Sequence, residues 1–146
     1  QGPLPGTAAQ DPGQWFVPPR VPTAAAPLVD LAGEITLLLT ATNAPFVLSG
    51  RNEYLIGRED PEDGIMPDLD LTLSGGEEAG VSRRHAHLLY RDGRYLLEDL
   101  DSLNYTYLNG VRLEPHRPQL LRDGDEISCA KLRMRFFQGR RGGDWR

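Results

Sequence analysis

Three short groups of polar and cationic residues follow strand-like runs, at positions where side chains can leave a sheet and contact a ligand. They are Gly57-Arg58, the segment Val81-Ser82-Arg83-Arg84-His85, and the segment 102–110, SLNYTYLNG. Together these groups offer guanidinium, hydroxyl and amide donors. A phosphorylated side chain carries about −1.5 to −2 charges and three strong acceptor oxygens, which such donors match. The residue types therefore indicate a site for a phosphate ester.

Individual residues in these groups suit particular contacts with a phosphate. Arg58 presents planar N–H donors after a glycine that allows the backbone to turn sharply. Ser82 can donate its hydroxyl and its backbone N–H, and Arg83 adds positive charge beside it. Two simpler interpretations stay open: Arg58 is a solvated surface charge, or Ser82 caps its own loop. We expect Arg84 to be an exposed charge rather than a ligand contact.

Other kinds of chemistry have weaker support. His85 and His87 have a spacing that suits a metal ion, but no third ligand is evident nearby, so no metal site is predicted. Ser82 and His85 are close in sequence, yet the chain lacks a Gly-x-Ser-x-Gly nucleophile elbow and an acidic partner in a recognisable motif. We therefore expect a protein that is not an enzyme and uses no cofactor.

Short strands must position these groups. Runs rich in β-branched and apolar residues predict strands at 34–42, 46–48, 53–56, 86–91, 94–100, 106–108, 111–113, 120–121 and 126–129. Asp92-Gly93 and Asn109-Gly110 are strong signals of tight hairpins. In the last strand Leu132, Met134 and Phe136 alternate with cations, which predicts one apolar face and one positively charged face.

The segment between the first two groups has a mixed pattern. Residues 59–64 are acidic and rich in breakers, which predicts a loop. Leu69, Leu71 and Leu73 alternate with polar residues, as in a half-buried strand. Residues 74–80 are read as a flexible loop. Because no segment has a sustained 3.6-residue period, the pattern as a whole predicts an all-β sandwich.

In this order and spacing, the three groups resemble the forkhead-associated (FHA) domain, a β-sandwich whose loops bind phosphothreonine. The resemblance spans roughly Glu34 to Phe137 and implies two antiparallel sheets with about ten or eleven strands. It assigns Arg58 and Ser82 to the two principal phosphate contacts, with Arg83 at a position that can also reach the phosphate. Asn104 matches the asparagine that hydrogen-bonds the peptide backbone beside the phosphothreonine.

The resemblance also implies structural support for the site. His85 matches a histidine that holds the binding loop from below, and Gly57 precedes the phosphate-binding arginine. Asn109 and Gly110 match a hairpin turn of the family. These four residues are expected to shape the loops rather than to contact a ligand.

The chain departs from the family pattern in the third group. Asp101 stands where a glycine is common, and Leu103 replaces a small polar residue. Tyr105 occupies a position that often uses the conformational freedom of glycine. These changes affect the turn that aims Asn104.

Three regions are expected along the chain. Residues 1–30 are predicted to form a proline- and alanine-rich flexible tail, residues 31–138 the FHA-like domain, and residues 139–146 a flexible basic tail. Asp11 and Arg20 are the only charged residues before Pro27, and few large apolar residues accompany them. Such a composition cannot offset the entropy lost on ordering, so the N-terminal tail is expected to be disordered.

Composition narrows the possible settings. The net charge of −5 argues against nonspecific nucleic-acid binding. No apolar run approaches the roughly 20 residues of a transmembrane helix, so no membrane insertion is expected. The single cysteine, Cys129, excludes an internal disulfide and favours a reducing compartment, from which we expect a cytoplasmic location. A long proline-rich stretch beside an FHA-like domain suits a bacterial signalling protein.

The sequence thus predicts a phosphothreonine-dependent recruitment module that acts downstream of a Ser/Thr kinase. Its partner is a protein or peptide that contains phosphothreonine. One variant is intramolecular, with phosphorylated Thr7 or Thr23 occupying the site. The alternative is a phosphate-independent interaction domain, in which the altered segment 101–105 no longer orients a peptide.

The loops that usually read the residues around a phosphothreonine are acidic in this chain. The carboxylates are Glu59, Asp60, Glu62, Asp63, Glu77 and Glu78. Peptides with acidic residues beyond the phosphothreonine are therefore expected to be disfavoured unless Arg83 or Arg84 faces them.

Overall fold

The structure is a computed structural model that describes residues 33–139. The predicted N-terminal tail, with Thr7 and Thr23, and residues 140–146 of the predicted C-terminal tail lie outside the described residues. Within 33–139 the chain is nearly all β, as predicted. The strands are β1 (Ile35–Leu39), β2 (Pro45–Leu48), β3 (Glu53–Gly57), β4 (Leu69–Asp70), β5 (Arg84–Arg91), β6 (Arg94–Asp99), β7 (Thr106–Leu108), β8 (Val111–Arg112), β9 (Gln119–Leu121), β10 (Glu126–Cys129) and β11 (Leu132–Gln138).

These strands form two sheets. The five-stranded sheet has the order β9-β6-β5-β3-β4, and the six-stranded sheet has the order β2-β1-β11-β10-β7-β8. Neighbouring strands are antiparallel except β3 and β4, which are parallel. The predicted β-sandwich of about ten or eleven strands is confirmed, with 11 strands in the described part of the chain.

The core lies between the two sheets. In β6 and β11 alternate residues face inward, so the apolar side of β11 packs toward the apolar side of β6. The ring of Tyr95 in β6 lies 5.3 Å from the ring of Phe136 in β11, centroid to centroid, and joins the sheets. The fully buried apolar side chains include Ile35, Leu37, Ile56, Leu69, Leu71, Leu88, Leu97, Ile127, Met134 and Phe136.

Two tight hairpins form where the sequence predicts them. Asp92 and Gly93 have φ of 53° and 79°, and Asn109 and Gly110 have φ of 50° and 84°. Positive φ at both central residues gives a type I′ turn, whose twist matches that of the flanking strands. The turns set the register of β5 on β6 and of β7 on β8.

The predicted strand through Leu69, Leu71 and Leu73 is wrong beyond Asp70. The Oδ1 of Asp70 accepts hydrogen bonds from Thr72 N at 3.0 Å and Thr72 Oγ1 at 2.6 Å, which bends the chain. A 3₁₀ turn (Thr72–Ser74) follows, and Leu73 is 99% exposed. The predicted loop after it contains a short helix, α1 (Gly76–Ala79). None of the helical segments within 33–139 has the length and apolar content needed to cross a bilayer.

Two leucines offer a matched test of this core. Leu97 is fully buried in β6, whereas Leu73 is almost fully exposed. Leu97→Ala is expected to lower the free energy of unfolding by about 2–5 kcal/mol, because it removes buried methyl groups and leaves a cavity. Leu73→Ala is expected to change it by no more than about 0.5 kcal/mol. Urea unfolding of both variants checks this, and equal losses would contradict the assigned core.

Candidate functional site

The first group begins at a close backbone contact. A Cβ on Gly57 would lie 1.9 Å from the carbonyl oxygen of Arg83, so only glycine fits at the end of β3. The pairing of β3 with β5 also shifts register between Ile56 and Gly57. Gly57 is absent from the residues with positive φ, and its lack of a Cβ is what this close contact requires. It brings the first group against the second, where Arg58 N donates to Arg83 O at 3.1 Å.

The side chain of Arg58 is anchored beside the second group. It is half-buried, and its Nε donates to the carbonyl oxygen of Val81 at 2.6 Å. Its stem lies over Gly76, where a Cβ would come within 3.2 Å of the Arg58 Cγ. Within 33–139 the terminal guanidinium nitrogens make no hydrogen bond or ion pair to protein. The structure thus holds the guanidinium in place while leaving its two NH₂ groups available.

Ser82 follows Val81, whose carbonyl holds this guanidinium, and connects to the third group. Its Oγ accepts a hydrogen bond from Leu103 N at 3.1 Å, so the hydroxyl proton stays available for an acceptor. Its backbone N–H donates to His85 Nδ1 at 3.0 Å. The expectation that this N–H would face a phosphate is wrong, because His85 uses it. Ser82 also does not cap its own loop through the hydroxyl, since Leu103 belongs to another loop.

His85 joins the second and third groups from beneath. It is fully buried, and its Nε2 lies 2.9 Å from the carbonyl oxygen of Tyr105. Because Nδ1 accepts from Ser82, the ring proton is on Nε2 and donates to Tyr105. Burial lowers the pKa of His85, against smaller opposing effects from the Tyr105 hydrogen bond and the charge of Asp99. The ring is therefore neutral and has no free nitrogen for acid–base catalysis.

Asn104 contacts the segment that leads into Ser82. Its Nδ2 donates to the carbonyl oxygen of Gly80 at 3.0 Å, and the side chain is otherwise exposed. Gly80 has a φ of 91°, and a Cβ there would lie 2.7 Å from the Asn104 Nδ2. This glycine therefore allows both the turn after α1 and the approach of Asn104.

Arg83 and Arg84 are both exposed, and Arg83 has an acidic partner. The Nε of Arg83 lies 3.3 Å from Oδ2 of Asp60 in the acidic loop, with 56% of the arginine side chain exposed. Because the arginine end of this ion pair is exposed to solvent, the pair is weak. Arg83 remains near the other loop residues, with part of its charge balanced by Asp60.

Asp99, which the sequence analysis did not single out, supports the third group. It is 1% exposed, and its Oδ1 accepts from Ser102 Oγ at 2.5 Å and Thr106 Oγ1 at 2.6 Å. Its Oδ2 accepts from Ser102 N at 3.2 Å. The available signal was an aspartate at the end of a predicted strand, three residues before a serine. A buried carboxylate needs such donors, so Asp99 determines the path of residues 99–106.

The departures from the family pattern are accommodated in this loop. Asp101 and Tyr105 have φ of 61° and 72°, a region that costs non-glycine residues roughly 1–2 kcal/mol each. The Tyr105 ring lies 4.5 Å from the guanidinium carbon of Arg112, a stabilising cation–π contact. Leu103 is 80% exposed. The turn therefore still places Asn104 against Gly80, with two large side chains beside it.

Asn109 and Gly110 take part in a different set of contacts. The Asn109 side chain donates to Asp125 Oδ1 at 3.0 Å and accepts from Glu126 N at 2.9 Å. These bonds join the β7–β8 turn to the start of β10. The structure therefore brings together Arg58, Ser82, Arg83 and Asn104 through Gly57 and His85, but it does not include the Asn109-Gly110 turn in that cluster.

Comparisons with known proteins agree with this arrangement. A family model described as FHA domain matches residues 54–129. The oxoglutarate dehydrogenase inhibitor of Corynebacterium diphtheriae is 36% identical over 88 residues, which are 60% of this chain and 57% of that protein. The glycogen accumulation regulator GarA of Mycolicibacterium smegmatis is 33% identical over 93 residues, covering 64% and 55%. This chain thus spans just over half the length of these relatives.

A solved structure extends the comparison to the fold. The N-terminal FHA domain of S. cerevisiae Rad53p, in complex with a phosphothreonine peptide, superposes with a TM-score of 0.60 at 25% identity. The match covers 73% of this chain and 94% of that one. The similarity therefore includes nearly the whole of a domain that was crystallised with such a peptide.

The neutral state of His85 gives a pH-dependent stability. Because its pKa in the folded protein is below the value of 6.5 that applies when unfolded, the unfolded chain takes up the proton first as the pH falls. The neutral ring makes its full contribution to the free energy of unfolding above pH 6.5. This contribution is lost as the pH falls from 6.5 toward the lowered pKa of His85.

Chemical denaturation of the wild type between pH 7.5 and 5 measures this effect, with His85→Asn as the control. The loss is expected to be at most about 1.4 kcal/mol per pH unit for one proton. The amide side chain introduced by this substitution keeps one acceptor and one donor but does not titrate. The variant is therefore expected to be less stable at pH 7.5 but less dependent on pH. Equal pH slopes for the two proteins would contradict the assignment.

Proposed function

The chain belongs to the FHA-domain family, and we propose that it is a non-catalytic module that recruits partners by binding phosphothreonine. The observation that carries this proposal is the Arg58 guanidinium. Its Nε is bonded to the carbonyl oxygen of Val81, the residue before Ser82, while its terminal nitrogens have no protein partner within 33–139. An arginine held this way is suited to an anion that approaches from solvent.

Capture of the phosphate follows from the donors that remain available. The two NH₂ groups of Arg58 donate to phosphate oxygens. The Ser82 hydroxyl donates to another phosphate oxygen, while its Oγ still accepts the hydrogen bond from Leu103 N. Charge-assisted bonds of this kind are the stronger class of protein hydrogen bonds. Arg83 adds positive charge, reduced by its contact with Asp60.

Asn104 is proposed to orient the peptide. Its Nδ2 is engaged by Gly80 O, which leaves the amide oxygen to accept a backbone N–H of an extended peptide. A peptide held by its phosphate and by one backbone group cannot rotate freely about the phosphate. This gives one binding direction across the loops, as extended-peptide recognition requires.

The relatives support a regulatory setting. The matched proteins carry the names of an inhibitor and a regulator, and the matched structure holds a phosphothreonine peptide. We propose that a Ser/Thr kinase lies upstream, because such an enzyme makes the ligand. A cytoplasmic location is proposed from the single cysteine, which is unpaired and buried.

The acidic loop near Arg83 affects which peptide residues are favoured around the phosphothreonine. Because Asp60 already pairs with Arg83, acidic peptide residues that pass this loop meet like charge with little positive charge to offset it. We propose that acidic residues are disfavoured on the flank of the peptide that crosses this loop.

Removing the Arg58 guanidinium tests the proposal. By calorimetry, a phosphothreonine peptide with neutral flanks is expected to bind the wild type, and its unphosphorylated twin is not. Arg58→Ala is expected to weaken binding about 10- to 100-fold, since bonds to a charged group contribute about 1.5–3 kcal/mol. Arg94→Ala, at the exposed β5–β6 hairpin, is the matched control and should bind normally. Equal binding of both peptides would instead favour the phosphate-independent interaction domain.

The intramolecular variant concerns Thr7 and Thr23, which lie outside the described residues. If either is phosphorylated, tethering gives a high effective concentration of the ligand at the site. After co-expression with a Ser/Thr kinase, the modified chain is expected to bind an added phosphothreonine peptide about tenfold more weakly. The double variant Thr7→Ala, Thr23→Ala should not show this loss. Intact mass spectra in which both threonines are unmodified would contradict the intramolecular hypothesis.

A further inference from the structure

A second concave surface begins at Asn104 and continues over the outer face of the six-stranded sheet. The first part is a groove of about 480 Å³ lined by Gly80, Asn104, Tyr105 and Lys131, among others. The second is a groove of about 400 Å³ that includes Ser128 and Arg133. Because the two share Tyr107, Ala130 and Lys131, they form one continuous path away from the proposed phosphate site.

Strand pairing arranges the side chains along this path. Arg112, Tyr107, Ser128 and Arg133 are cross-strand neighbours on β8, β7, β10 and β11. Cross-strand neighbours share a face, and their sequence neighbours Thr106, Ile127 and Met134 are fully buried, so this row faces outward. With strands about 4.8 Å apart, the row is roughly 14 Å long. An extended segment of about four residues matches this length.

Counting Arg112 on the same sheet face, cations outnumber carboxylates along the path, although the chain as a whole has a net charge of −5. Arg112, Lys131 and Arg133 are exposed along it, and Lys131 and Arg133 form no ion pair with a carboxylate within 33–139. Two carboxylates, Glu78 and Glu126, also line the grooves. Arg135 on β11 stands opposite Glu126 in the sheet register and adds a fourth cation beside the grooves.

We propose that this surface, here called the basic row (Arg112, Tyr107, Ser128, Lys131 and Arg133), binds an acidic segment of the phosphothreonine partner. The inference rests on the proposed function, because the segment reaches the row from a phosphothreonine held at Arg58 and Ser82. Asn104 lines the first groove and bonds to Gly80, two residues before Ser82, so it lies between the two regions. Carboxylates receive donors from Lys131 and Arg133 and from the hydroxyls of Tyr107 and Ser128.

The basic row and the acidic loop together give the peptide a direction. The loop around Asp60 repels acidic residues on one side of the phosphothreonine, whereas the basic row attracts them on the other side. Preference for acidic residues is therefore expected on one flank alone. A general attraction of anions to Arg58 would not depend on the flank.

The test compares three phosphothreonine peptides on the full 146-residue chain: one with neutral flanks, one with glutamates before the phosphothreonine, and one with glutamates after it. One acidic peptide is expected to bind about three- to tenfold more tightly than the neutral peptide, as two exposed ion pairs allow. The double variant Lys131→Ala, Arg133→Ala should lose this advantage and still bind the neutral peptide normally. Arg94→Ala is the matched control, and added salt at about 0.5 M should reduce the advantage in the wild type because exposed pairs are screened.

The outcomes separate this inference from the proposed function. If the advantage is absent, or survives in the double variant, the basic row does not bind the partner. If Arg58→Ala leaves all binding unchanged, the proposed function fails, and NMR titration of an unphosphorylated glutamate peptide then tests the basic row directly. Amide shifts around Lys131 and Arg133 support it, and no shifts there overturn it. Sedimentation velocity tests for self-association. If the wild type self-associates and the double variant does not, the basic row binds a second copy of the chain, and the proposal of an acidic peptide ligand is overturned.

Discussion

One buried imidazole connects the loops on which the site depends. His85 accepts the N–H of Ser82 at Nδ1 and donates its Nε2 proton to the carbonyl of Tyr105, so two loops share one rigid ring. The ring can do both only as a neutral tautomer. Burial keeps it neutral, since it lowers the pKa of His85. Asp99 supports the same loop through Ser102 and Thr106. The buried polar groups beneath the loops thus satisfy one another, and the donors above remain for a ligand.

The second constraint is close packing of backbone against side chain around Arg58. Gly57 admits the carbonyl of Arg83 at a distance that no Cβ permits, and Gly76 leaves room for the Arg58 stem. The guanidinium is then held by Val81 O before any ligand arrives. Most of the rotamer entropy of a long side chain is lost on folding rather than on binding, which favours affinity for a small anion. Arg83, exposed and paired with Asp60, lacks this preorganisation.

Positive and negative side chains lie on different surfaces of the domain. One chain with a net negative charge can therefore attract acidic peptide residues at one surface and repel them at another. Carboxylates are concentrated in the loop that contains Asp60, next to the proposed phosphate contacts. The alternating cations of β11 face outward on the other sheet, because the inward positions belong to Met134 and Phe136. The same period-2 pattern that builds the core therefore produces a positively charged outer face.

The sequence by itself determined the all-β class, the Asp92-Gly93 and Asn109-Gly110 hairpins, and the three polar groups from which the structure builds one cluster. Such features are local, because turn residues and alternation act over a few positions. It did not predict the end of β4 at Asp70, the short helix at Gly76–Ala79, or the buried role of Asp99. Only the tertiary structure decided that the Ser82 N–H donates to His85 and that Gly57 leaves room for the carbonyl of Arg83. These outcomes depend on contacts between residues that are distant in the chain. Residue types and their spacing do not reveal how far apart such residues lie in the folded protein.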